Sequence, residues 1–123
     1  MHLCTGILLL AAIQGAAITI SPLPYGTNVH LAQNTTLAKV KAAGIAWIRI
    51  DINWNVIEAS QGRFTFAEVD RVVKYANSLG LSIYATIAYT PAWANGKKGK
   101  NYPASKVSDW KNFVARTVAR YKN

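Results

Sequence analysis

Three runs rich in β-branched and aromatic residues each lead into a stretch of helical period, with no hairpin signal between them, and this alternation limits the available folds more than any other feature of the chain. The first run is "YGTNVHL", Tyr25 to Leu31. Asn34 or Thr35 can cap the helix that follows, whose apolar residues are Leu37, Val40 and Ala43 and whose stop is Gly44. The second run, "IAWIRID" from Ile45 to Asp51, leads through a longer loop past Trp54, Glu58 and Gly62. Thr65 and Glu68 then have the spacing of a capping box, and Val69, Val72, Val73, Ala76 and Leu79 follow at helical period before Gly80. The third run is "LSIYATIAY", Leu81 to Tyr89. After a loop of Pro, Gly and Asn, a last helix is expected to start near Ser105 and to carry Val107, Trp110, Val114, Thr117, Val118 and Tyr121 along one side. Parallel strands need crossover connections, so the expected class is α/β with a parallel sheet. Such sheets are covered by helices on both faces or close into a barrel. Three strands do neither, and the chain is expected to be the front part of a larger domain, stopping where a fourth strand would begin.

Hydrophobic residues make up 51% of the 123 residues and charged residues 15%, which excludes a disordered chain. The net charge of +9 raises the question of a polyanionic partner. However, Lys39, Lys41, Arg71, Lys74, Arg116, Arg120 and Lys122 scatter over helix faces, and only Lys97, Lys98 and Lys100 cluster. The reading is a solvated basic surface with no nucleic-acid partner. Met1 to Ala17, "MHLCTGILLLAAIQGAA", has an apolar core from Leu3 to Ile13, with Gly15 and Ala17 at the positions of a signal-peptidase site. Only His2 precedes the core, where a Lys or Arg is usual. A signal peptide over residues 1–17 is expected, too short for stable membrane insertion, and with it secretion. A linker over 18–24 contains Ser21 to Pro24, and the domain then occupies 25–123. Cys4 is the lone cysteine and falls in the signal segment, so neither a disulfide framework nor a Cys-based metal site is expected.

In α/β folds the working groups gather at the carboxyl ends of the strands. Period 2 sets Trp47, Arg49 and Asp51 on one face of the second strand and Ala46, Ile48 and Ile50 on the other. The apolar set should meet the helices. A charge inside such a run must be paired or must face a wet cavity. Arg49 therefore either points toward an anionic site or pairs with a carboxylate such as Asp51 or Glu58. Tyr89 and Trp93, after the third strand, are either platforms for the apolar faces of sugars or, for Trp93, packing under its own loop. His30 ends the first strand. No HxxxH, CxxC, P-loop or GxGxxG is present, and no metal site is expected.

Taken together, "GTNVH", "KAAGIAWIRIDINWNVIEASQGRFTFAEVDRVVKYANSLGL", "IYATIAYTPAWANG" and the "NYP" and "WKNFVARTVARYK" segments resemble the retaining (β/α)8-barrel glycoside hydrolases, the clan of cellulases, β-xylosidases and β-galactosidases. The pattern is Gly-x-x-x-x-Arg-x-Asp-x-x-Trp-x-x-x-Glu-x-x-x-Gly-x-Phe-x-Phe-x-x-x-Asp from Gly44 to Asp70, with a second match from Tyr89 to Ala94. Ala59 departs from it, since many relatives carry Pro there. The resemblance implies the first three βα units of the barrel in a secreted enzyme that hydrolyses O-glycosidic bonds of a poly- or oligosaccharide. Two carboxylates about 5–5.5 Å apart would act by double displacement. In the clan they end strands four and seven, so no catalytic residue is expected in this chain, which alone would be inactive. Arg49 and Asp51 would support the active site, and His30, Trp54, Tyr89 and Trp93 would line or frame the cleft. No metal or organic cofactor is implied, the partner is a carbohydrate, and no oligomeric state is specified. The alternative is a carbohydrate-binding pseudoenzyme of the same fold.

Overall fold

The computed structural model describes residues 25–122, so the expected signal segment, the linker and Cys4 lie outside the described residues. The elements are β1 (Gly26–Asn28), α1 (Asn34–Ala42), β2 (Trp47–Asn53), α2 (Trp54–Ile57), α3 (Ala67–Ser78), β3 (Ser82–Ala88) and α4 (Val107–Tyr121). The strands lie in the order β1-β2-β3 and both pairs are parallel, as the alternation of strand and helix requires. β1 is shorter than expected. The chain leaves it at His30, whose φ of 50° turns the backbone out of the extended region.

Period 2 holds along β2. Ile48, Ile50 and Ile52 are buried with Leu37 of α1 and Val69, Val72 and Ala76 of α3. Burial of each isoleucine contributes about 1.5–3 kcal/mol, so this layer supplies much of what fixes the sheet to its helices. A second, aromatic part of the core grows around Trp54, which is fully buried. Its ring lies 5.5 Å from those of both Phe113 and Trp110 and meets Trp93 edge-on at 5.7 Å. Phe64 and Phe66 stack with Phe113 at 6.5 Å, so the entry to α3 and the middle of α4 share one cluster.

That cluster explains where local sequence signals were overridden. The Thr65–Glu68 capping box does not form: α3 begins at Ala67, Phe66 takes the N-cap position without a side-chain cap, and Glu68 pairs with Arg71 at 2.9 Å. Phe66 is held by its stacking on Phe64 and Phe113, which decides where the helix starts. Gln33, rather than Asn34 or Thr35, precedes α1, and Asn34 accepts a hydrogen bond from Arg71 at 2.8 Å instead. α4 starts two residues after Ser105 and turns Phe113 and Thr117 into the core. Val107 and Val118, expected on the buried side, are 64% and 54% exposed. The large ring of Phe113 sets the rotation of the helix, and the Thr117 hydroxyl is satisfied by donating to the Phe113 carbonyl at 2.9 Å.

Two polar clamps tie the helices together. Arg71 donates to the carbonyls of Leu31 and Ala32 and so fastens the β1–α1 loop to α3. Between α3 and α4, Arg120 and the Tyr121 hydroxyl both donate to Asp70, at 2.7 and 2.8 Å. The Arg120 guanidinium holds the Asp70 carboxyl below its ordinary range, and burial, then Asp70, pushes the Tyr121 phenol up.

Candidate functional site

On the sheet face away from the helices, the parallel register sets Arg49 beside Tyr84 and Asp51 beside Thr86. Arg49 therefore reaches Thr86 two residues further along β3. Its Nε donates to Thr86 Oγ1 at 3.0 Å and its Nη2 donates to Asp51 Oδ1 at 2.8 Å. The other oxygen of Asp51 lies 2.7 Å from His30 Nδ1. One carboxylate thus joins His30, just past the end of β1, to Arg49 within β2, and the arginine carries the link to β3. The Asp51 side chain is 10% exposed, whereas Arg49 and His30 are 38% and 69% exposed. A carboxylate can only accept, so Asp51 favours the His30 tautomer with the proton on Nδ1. His30 Nε2 is then left as an acceptor. The two readings open for Arg49 meet here: it pairs with Asp51, not Glu58, and it does so on the open face of the sheet.

Glu58 has a different role. It is 2% exposed, and its two oxygens accept from Trp54 Nε1 at 2.7 Å and from the Gly62 amide at 2.8 Å. Its carbonyl accepts from Trp93 Nε1 at 2.8 Å. Trp54, Glu58 and Trp93 form a packing unit under the loop after β2. Trp54, expected to line a cleft, is instead a core residue. β2 continues two residues past Asp51, and Trp54 falls on the same side as Ile48, Ile50 and Ile52. Trp93 is half-buried against the same core, as in the packing alternative given for it.

Tyr89 stands apart from these. Its φ is 64°, its carbonyl accepts from the Asn55 amide, and its ring carries Lys100 Nζ at 4.2 Å from the centroid. It lines a cleft of about 500 Å³ at the carboxyl end of β3, with Thr90, Lys100, Tyr102, Val107 and Trp110. The size suits a small ligand. His30, Arg49 and Asp51 do not line this cleft, although both features lie at the same end of the sheet. Sequence reasoning missed Lys100 and Tyr102 as cleft residues and Asn95 as the support of their loop. The signal was the run "NGKKGKNYP", whose glycines mark tight turning. Among the described residues no group of three or more His, Cys, Asp or Glu could hold a metal ion, and no helix is long and apolar enough to cross a membrane.

No family model matches the chain. Over 86 residues it is 27% identical to beta-amylase 1, chloroplastic, of Oryza sativa subsp. japonica, which covers 69% of this chain and 16% of that protein. Among solved structures it is similar to a family 39 glycoside hydrolase from the gut symbiont Bacteroides cellulosilyticus WH2, with a TM-score of 0.63 and 22% identity over 76% of this chain and 21% of that one. The chain thus spans only a small part of the length of either protein. Three parallel strands in sequential order, alternating with helices, and this structural likeness identify the fold as part of a (β/α)8 barrel.

Proposed function

We propose that the chain supplies the first three βα units of a secreted glycoside hydrolase barrel and with them one wall of its sugar site. The observation that carries this reading is the Asp51 bridge between His30 and Arg49 on the open face at the strand ends. In a barrel that face is the interior, and the carboxyl ends of the strands carry the chemistry. The N–H groups of Arg49 not spent on Thr86 and Asp51 would orient an anionic neighbour, and His30 Nε2 would accept from a sugar hydroxyl. The attack on the glycosidic carbon and the protonation of the leaving oxygen fall to two carboxylates outside these units, by double displacement. Asp51 and Glu58 do not fill those roles, because all four of their oxygens already have protein partners. The apolar segment at Met1 to Ala17 supports export.

The test is binding of neutral oligosaccharides to the full chain, followed by calorimetry and repeated with His30→Ala and Arg49→Met. The expected outcome is binding weakened by about fivefold or more in His30→Ala, the loss of one good hydrogen bond. Absence of any oligosaccharide binding, or binding that neither substitution alters, would remove the assignment of this wall.

A further inference from the structure

We infer that the cleft beside Tyr89 selects sugars that carry carboxylates over neutral ones. This rests on the carbohydrate reading above and adds the substrate class. Residues 89–106 contain Lys97, Lys98, Lys100 and Lys106 and no Asp or Glu. The chain has five acidic residues, and four of them are held by partners away from the cleft. Asp51 holds Arg49 and His30, Glu58 is buried on Trp54 and Gly62, Glu68 pairs with Arg71, Asp70 pairs with Arg120, and Asp109 sits in the first turn of α4. No carboxylate lines the cleft, and Lys100 does.

The backbone of the loop that carries Lys97, Lys98 and Lys100 is also held in place. Asn95 is 1% exposed and its Nδ2 donates to the carbonyls of Gly99 and Tyr102, at 2.7 and 3.3 Å. The Thr90 amide donates to the Lys100 carbonyl at 2.8 Å, and the Lys97 amide to the Ala92 carbonyl at 2.9 Å. Gly96, Lys97 and Gly99 have φ of 64°, 63° and 101°, so the loop is a tight, specified turn. A loop fixed in this way brings its charges to a ligand with little ordering cost. Lys100 over Tyr89 combines an ammonium with an aromatic ring at one cleft wall, and Tyr102, 58% exposed, stands at another. Rings suit the apolar faces of a sugar and the ammonium suits its carboxylate. A concave cleft with Lys100 in its wall, further lysines on the same loop and no arginine fits a few sugar rings better than the extended, phosphate-spaced contacts of a nucleic-acid strand.

The experiment is calorimetric titration of the full chain with tetragalacturonate, with its fully methyl-esterified counterpart and with a single-stranded DNA oligonucleotide. The same titrations are run on Lys97→Gln/Lys98→Gln/Lys100→Gln and on the single variant Lys98→Gln, which keeps the Tyr89 contact. The acid should bind about tenfold more tightly than the ester, as expected of a few solvated charge contacts, and the difference should shrink with added salt. The triple variant should bind acid and ester alike, and the single variant should lose part of the difference. Equal affinity of acid and ester in the unaltered chain would overturn the inference and leave the carbohydrate reading standing. Binding of neither would remove both. Tighter binding of the oligonucleotide than of the acid would overturn it in favour of a phosphate-binding loop.

Discussion

Replacing Glu58 by Gln separates a structural carboxylate from a catalytic one. Both Glu58 oxygens accept, from Trp54 Nε1 at 2.7 Å and from the Gly62 amide at 2.8 Å. A Gln keeps the shape but has one acceptor, and its amide group must face one of those two donors. The change weakens one bond and leaves another buried donor unmet, which costs about 1–3 kcal/mol. Relief from burying a carboxylate offsets part of this, so we expect about 1–2 kcal/mol. For a domain of this size that lowers the urea midpoint by about 1 M. Glu58→Met strands both donors, and a loss of about 3–5 kcal/mol would leave little of the stability of a small domain. The assay is urea unfolding followed by tryptophan emission, to which Trp54 contributes directly, with turnover of an aryl glycoside panel measured on the same samples. We expect lower midpoints and no turnover by any version of the chain. An unchanged midpoint for Glu58→Gln would refute the hydrogen-bond argument, and turnover by the unaltered chain that Glu58→Gln abolishes would make Glu58 catalytic.

Gly26→Ala should destabilise the β1–β2 pair, since a Cβ at that position would lie 1.9 Å from the Trp47 indole. The ring must swing off β1 at a cost of about 1–3 kcal/mol, seen as a lower melting temperature and red-shifted emission, and unchanged emission would contradict it. The α3–α4 clamp should respond to acid. The folded Asp70 carboxyl is held below its value of 3.8 by Arg120, so its contribution is complete above that pH and is lost as pH falls through the lowered folded value. The pair is substantially exposed, at 37% for Asp70 and 47% for Arg120, which limits the effect to about 0.2–1 kcal/mol. Comparison of urea midpoints at about pH 6 and about pH 3 should show a smaller acid-induced drop in Asp70→Asn than in the unaltered chain.

The parallel sheet was legible because alternation of period 2 with period 3.6 is carried by many residues at once. Ile48, Ile50 and Ile52 bury the side that their spacing selects, and Arg49 takes the other. Trp54, expected as a cleft residue, is a core residue instead. The resemblance placed it in the cleft, and packing against Phe113, Trp110 and Trp93 decided for the core. The capping box at Thr65 was misleading because a cap is a local signal worth about 1 kcal/mol, and the apolar stripe at Val107 and Val118 because helical period alone does not set the rotation of α4. Stacking of Phe64, Phe66 and Phe113 outweighs them, and nothing in the spacing of those three rings shows that they meet. The cleft at Tyr89 depends on a loop held by Asn95 through bonds to Gly99 and Tyr102, a tertiary closure with no period to detect.

The open face of the sheet is the part of this structure that most needs an explanation. Parallel sheets are normally covered on both faces, yet Tyr84 is 63% exposed and Trp47 39% exposed on the side away from the helices. The helix side of β3 is incompletely covered as well. Ile83 and Ile87 are only half-buried, and a cavity of about 350 Å³ opens between Ile50, Ile83 and Ala85 of the sheet and Arg120 and Tyr121 of α4. Among the described residues, β1 and β3 each pair along one side only. Addition of further strands and helices beside β3, as in the barrel reading proposed above, acts on all three at once. It pairs the free edge, brings a helix against the Ile83 side, and curls Tyr84 and Trp47 into an interior. The same closure encloses Arg49 beside Asp51. A guanidinium is tolerated in such an interior only with partners, and Thr86 and Asp51 already provide two, at 3.0 and 2.8 Å. The pair that is marginal on an open sheet is therefore the arrangement a closed one requires.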